Sequence, residues 1–401
     1  MRGKKIIISI GMVMLVSFVI IGCGTKSLDI EYDSGAPSLD LSLKHATLKV
    51  FIENSGSMDG YMCEGSEFKD AVKDYVSSLE HRFDTLELYY INSEIIPRPN
   101  ELKRFITDLT PGSFKSAGGN RKDTDMGELI KIISESTTDS VVSVFVSDCI
   151  LDIRGKVATD YFTDMQIDVR NVMGKFMEDG NYSVEVVQLE SRFQGNYYGL
   201  DGVSKLDGIR PYYMWILGRN DLLAQMNQIF PFEKIKHGVK NWVSFIKKHS
   251  VPFDITNEYG LEPKNIHAKR GEYEISINTD LRSLLKSEES LADASNYLPE
   301  DAKKIKVKQI KQITDKGSKD LYSHTISLSI EDNISSGTET INFIDANKMP
   351  GWVEASNDDS GTNIKGNMDK TTGIKYLIGG VAEAYQNEKS LGEITFKIRN
   401  K

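Results

Sequence analysis

Cysteine is scarce in this chain: three in 401 residues, too few for a disulfide-built scaffold. The six histidines are scattered and form no H-E-x-x-H or other zinc spacing. No G-x-S-x-G elbow, no G-x-x-x-x-G-K-[ST] loop and no G-x-G-x-x-G after a strand occurs, so the usual signatures of a serine hydrolase, a nucleotide-phosphate enzyme and a dinucleotide enzyme are missing. Positive charge is not in excess. The formal net charge of -9 argues against nucleic acid as a partner, and the Lys-rich stretch at 302–311 has Asp and Glu close by. There is no short internal repeat, and beyond the first two dozen residues no long apolar run.

That first stretch, "MRGKKIIISIGMVMLVSFVIIGCG", has a basic start, an apolar run from Ile6 to Ile21, then Gly22 and Cys23. This is the pattern of an export signal. Ile20-Ile21-Gly22-Cys23 resembles a bacterial lipobox, which implies cleavage after residue 22 and lipidation (palmitate among the acyl chains) of Cys23. The competing reading is an uncleaved anchor, since the run is nearly long enough to span a bilayer. Residues 23–45 are polar and read as a tether. The expectation is an extracytoplasmic protein of the cell envelope, held to a membrane through lipid.

Past the tether the pattern alternates. Leu48, Val50 and Ile52 mark a short strand that stops on Glu53 in "LKVFIENSGSMDGYM". Helical spacing over 66–82, the strand "TLELYYIN" and a helix from about Asp125 follow. The near-continuous apolar strand "SVVSVFVSD" again stops on a carboxylate, Asp148. A helix at about 160–178, the strand "YSVEVVQLES", a long loop through "RFQGNYYGLDGVSKLDGIRP" and the strand "YYMWILG" complete the region. Strand and helix in alternation imply an α/β fold, a doubly wound, mostly parallel sheet with helices on both faces, spanning 46–232. Such sheets bind ligands beyond the carboxyl ends of their strands. Residues 233–346 read as a bridging amphipathic helix, "KIKHGVKNWVSFIKK", and an antiparallel β-sandwich, Ig-like in general shape. Residues 347–401 read as a tail of loop, helix and strand.

Glu53-x-Ser55-x-Ser57 places a carboxylate and two hydroxyls at a strand end, and oxygen donors of this kind suit a hard cation. A hydrogen-bonded turn without function is the plain alternative. Thr124 and Asp125 stand before a helix, where either serves equally as an N-cap. Taken with Thr124 and Asp148, the motif resembles the metal-ion-dependent adhesion site of von Willebrand factor type A domains, over about residues 46–232. The resemblance implies a Mg²⁺ or Mn²⁺ held by Ser55, Ser57 and Thr124, with Glu53 and Asp148 positioning waters or coordinating. It also implies a protein partner that completes the site with an acidic group. Glu53 departs from the family's Asp: the extra methylene either brings the carboxylate to the metal or blocks the site. Tyr197 and Tyr198, in the long loop, are candidates for a partner-facing rim or for local packing.

A type A sheet makes the strands ending at Glu53 and Ser147 neighbours, so Cys63 and Cys149 flank the same edge. A disulfide there would tie the two loops together, while a lone Cys at such a place is more often a small buried hydrophobe. The function implied is binding or adhesion rather than catalysis. A metal-assisted hydrolase at the same site and an inert structural subunit of an envelope complex remain the alternatives. The lipid assignment is tested by Cys23→Ala, which should abolish palmitate labelling or leave the precursor uncleaved. Unchanged labelling and detergent partitioning in that variant would show that Cys23 is not the anchor.

Overall fold

The computed structural model describes residues 26–33, 43–122, 124–151, 158–199, 202–314, 321–345 and 347–401. The export signal and Cys23 lie outside them. Among the described residues no helix is long and apolar enough to cross a membrane.

A seven-stranded sheet carries the Glu53 motif. At its middle lie three parallel strands, Thr85–Ile91, Thr47–Glu53 and Val141–Ser147, in that order. Ile95–Arg98 flanks them on one side; Gly202–Arg219, Tyr182–Gly199 and Asn241–Phe245 extend the sheet on the other. Every one of those four outer pairings is antiparallel. The parallel strands are buried on both faces, which is why they read as almost unbroken apolar runs. Leu48, Val50 and Ile52 meet Phe68, Val72, Tyr75 and Val76 of the helix Phe68–Leu79 on one face. On the other, Phe51, Phe145 and Trp215 line up across three strands and pack under Met165, Val169 and Met173.

The expected doubly wound, mostly parallel sheet is therefore not what forms. The described residues are mostly β, with nineteen strands in four sheets and only five helices of ten residues or more. Two local causes can be named. The expected long loop instead continues both arms of a hairpin with eighteen residues in each arm, Tyr182–Gly199 against Gly202–Arg219, whose two strands must run antiparallel. The expected amphipathic helix at 234–248 is instead a strand, because Trp242, Val243 and Phe245 pair against Val187, Val186 and Val184.

Apart from the short parallel pair Asn357–Asp358 and Thr371–Thr372, the remaining strands make two more sheets that share a core. Phe253–Asn257, Glu272–Thr279, His324–Glu331 and Ile305–Gln312 form an antiparallel sheet. Its Tyr273, Ile275, Ile277 and Ile326 cluster with Leu28, Ile30, Ile341, Phe396 and Ile398 of a six-stranded sheet. That second sheet is not confined to 233–346: it takes Ser27–Glu31 from the expected tether and Gly392–Asn400 from the tail. The tail therefore contributes to both halves of the molecule, since its helix Ile374–Tyr385 packs on Ala158–Asp179 beside the first sheet. Phe162 and Tyr376 stack there at 4.8 Å, and Arg170 pairs with Glu383 at 3.7 Å.

That helix contact depends on Gly380, where a Cβ would lie 2.6 Å from the Gln166 carbonyl oxygen and 2.9 Å from Val169 Cβ. Gly380→Ala should destabilise the protein by about 1–3 kcal/mol through overpacking. Gly174→Ala, in the facing helix with open space around it, should stabilise by about 0.5–1 kcal/mol. Denaturant melts of the two variants check this, and equal shifts would show that the helices do not approach so closely.

Candidate metal centre at the strand ends

Glu53 and Asp148 stand at the ends of adjacent parallel strands, as the apolar runs stopping on carboxylates suggested. Both are buried, Glu53 to 3% exposure and Asp148 to 1%. The Ser147 hydroxyl donates to Glu53 Oε2 and accepts from the Cys149 amide at 2.7 Å. Cys149 takes a left-handed backbone, φ 54°, which turns the chain away directly after Asp148. Burial and the nearby Asp148 charge push the Glu53 carboxyl well above the usual carboxylate range, with Ser147, Ser55 and Thr124 opposing. Burial raises Asp148 as well, and Ser57 and the Arg210 guanidinium oppose it. Two like charges at one place disfavour double ionisation. Because Arg210 favours charge on Asp148, Glu53 is the partner that keeps the proton.

The structure brings all five candidate ligand residues together. Ser55 and Ser57 place their hydroxyls 3.1 Å apart. Asp125, not Thr124, caps the helix Met126–Glu135, accepting from the Glu128 amide at 3.1 Å. Thr124 is thereby released from capping. Its hydroxyl faces the Glu53 carboxyl, near enough to favour its charge, yet it is buried without a well-formed hydrogen bond. Asp148 Oδ2 is buried and unpartnered too. Orphaned oxygens of this kind are rare in folded proteins and mark a place where another group belongs. Among the described residues no three His, Cys, Asp or Glu side chains gather as a metal cluster, so the donor set rests on two carboxylates and three hydroxyls. All are hard oxygens, which fit Mg²⁺ or Mn²⁺ and not zinc.

Three features were not readable from sequence. Arg121 clamps the serine-bearing turn: its Nε donates to the Asn54 carbonyl at 2.6 Å, and one Nη donates to the Ser55 carbonyl and to Asp59 Oδ1. Arg210 lies wholly buried behind the site, over the Tyr197 ring at 4.6 Å, donating to the carbonyls of Met368 and Lys370. The long hairpin braces the turn from the side, where a Cβ on Gly195 would sit 2.6 Å from Gly60 Cα. Apart from the Arg210–Tyr197 contact, each of these joins residues more than sixty positions apart, so no local pattern announces them.

An open cleft of about 860 Å³ exposes the site. Glu53, Ser55, Ser57 and Thr124 line it, and so do Lys115, Arg121, Tyr198 and Val203. Tyr198 therefore lines the cleft. Tyr197 does not: it is fully buried, its hydroxyl 2.8 Å from Thr372 Oγ1, because alternate residues of a strand face opposite sides.

Cys63 and Cys149 are both free thiols. Cys63 reaches toward the Arg192 carbonyl, while buried Cys149 accepts from Trp215 Nε1 at 3.3 Å. Burial also pushes the Cys149 thiol upward, which makes it unreactive. Native alkylation should label Cys63 promptly and Cys149 only after unfolding. A linked peptide pair carrying both residues would contradict this geometry.

No protein-family model, curated protein or solved structure matches this chain.

Proposed function

We propose that this protein is a lipid-anchored, extracytoplasmic binding protein of the cell envelope that engages a protein partner through a divalent cation at the strand ends. Membrane attachment rests on the export signal and on Cys23 after Gly22. The binding role rests on one observation above the others. Two buried carboxylates share a site in which Thr124 Oγ1 and Asp148 Oδ2 have no hydrogen-bond partner, and Glu53 and Thr124 of that site line an open cleft.

On this reading Glu53, Ser55, Ser57, Thr124 and Asp148 hold a Mg²⁺ or Mn²⁺. The bound cation supplies an electrophilic point for an acidic side chain of the partner. The chain's own residues do the rest. Arg121 fixes the turn that presents both serines, and Asp125 leaves Thr124 free by taking over the cap. Arg210 offsets part of the negative charge from behind, so the site binds the cation without neutralising it fully. Glu53 in place of Asp uses its longer arm to reach the Ser147 hydroxyl. Lys115 and Arg121 line the cleft that an acidic partner would enter, and Tyr198 and Val203 offer apolar contact there.

The hydrolase alternative needs a general base beside the ligands. Among the described residues of the cleft the one further carboxylate is Asp59, held by Arg121 at 2.6 Å, and no histidine lines it. Binding is the reading the geometry favours.

Calorimetric titration of the full chain in detergent with Mg²⁺ and with Mn²⁺ tests this. One site is expected, weakened about tenfold or more by Ser55→Ala or Thr124→Ala, with unchanged melting in chelator showing that the variants fold. Glu53→Asp should retain or tighten binding. Heat in the Asp variant alone would mean that the native site is inert, and heat in neither would end the proposal.

A further inference from the structure

A second cleft, of about 470 Å³, lies far along the chain from the metal centre, where the first sheet's edge meets the two-sheet core. Its walls are apolar: Phe232, Trp242, Leu285 and Leu291 line it, with Trp242 edge-on to Phe232 at 5.7 Å. Two polar groups in these walls are incompletely used. Asn227 donates through Nδ2 to Glu185 Oε1 at 2.9 Å, and its Oδ1 is buried without a partner. Lys286 is half-buried, and burial holds its amine below the ordinary lysine range. It makes no hydrogen bond or ion pair within 4 Å among the described residues; the Asp345 charge opposes the effect of burial, and both residues also line the neighbouring cleft.

The other charged groups here are already engaged or outward. Arg282 is held in a fork by Asp280, Nε to Oδ1 at 2.6 Å and Nη2 to Oδ2 at 3.0 Å. Glu288 is held by His324 Nε2 at 3.0 Å and by Gln312 Nε2 at 3.2 Å. Glu233 is exposed at the rim. Lys286 is thus the one cation of the cleft, among the described residues, whose side chain makes no hydrogen bond or ion pair. A buried ammonium without an acceptor is costly, and an apolar pocket with a few converging polar groups is the usual form of a small-molecule site.

We infer that this cleft binds a small apolar carboxylate, its hydrocarbon or aromatic body against Trp242, Phe232, Leu285 and Leu291 and its carboxylate on Lys286. Asn227 Oδ1 is placed to accept from a hydroxyl or amide hydrogen on that body. The site is independent of the cation centre, so the two readings stand or fall separately.

Tryptophan fluorescence of the full chain in detergent, without divalent cations, reads it directly, because Trp242 is one of only three tryptophans. 4-Phenylbutanoate should quench saturably by about 10 mM, the affinity expected of a ligand of that size. Trp242→Phe should remove the quench. The uncharged 4-phenylbutanamide and the cationic 4-phenylbutylamine should bind at least tenfold more weakly. Lys286→Met should bring the carboxylate down to the affinity of the amide while leaving amide binding in place, which shows that the cleft is still formed. No saturable quench by the carboxylate, or equal binding of acid and amide to the wild-type chain, would overturn the proposal.

Discussion

Two carboxylates buried side by side at the ends of neighbouring parallel strands set the terms for everything around them. Glu53 and Asp148 cannot both ionise cheaply out of water, and neither is paired with a basic side chain at contact distance. The fold answers with hydroxyls from Ser55, Ser57, Thr124 and Ser147, with the remote charge of Arg210, and with a proton retained on Glu53. A polar network left partly unsatisfied inside a protein is costly. Here the unsatisfied atoms, Thr124 Oγ1 and Asp148 Oδ2, belong to the same cluster. A small hard cation is the group that would satisfy them at once.

Holding that cluster in shape requires more than its own two strands. Arg121 reaches back across some sixty residues to clamp the Asn54 and Ser55 carbonyls. The hairpin closes on Gly60 so tightly that neither glycine of the contact admits a side chain. Behind it, the tail segment bonds to Arg210 and Tyr197, and the tail helix covers the opposite sheet face. The last fifty residues are therefore part of the support of a motif that begins at residue 53. The same tail ends as a strand in the other core, which couples the two halves of the molecule.

The sequence made the strand ends legible because a buried parallel strand is apolar along its length, so an abrupt carboxylate stands out. "IENSGS" and "VSDC" were readable for that reason. The hairpin was not, because Gly195, Gly199, Gly202 and Gly208 punctuate it like a loop, and the alternation of Phe193 and Tyr197 is short. "KNWVSFIKK" showed helical spacing, yet its apolar residues find their partners across a sheet edge, where Val184, Val186 and Val187 outweigh local preference. The sheet is not mostly parallel because the alternation of strand and helix stops at the strand Tyr182–Gly199, which turns directly into Gly202–Arg219. Cys149 shows the limit in miniature, since its burial at the shared edge was readable but the Trp215 indole that donates to it was not.

On the proposed reading a bound cation takes the place of the proton retained on Glu53. Mn²⁺ titration at pH 6.5, run calorimetrically in two buffers of different ionisation enthalpy, counts the protons displaced. Release of about one proton per bound cation is the predicted result, falling toward zero in Glu53→Gln. Binding with no proton release in the wild-type chain would show that the carboxylates are already ionised, and would contradict the account.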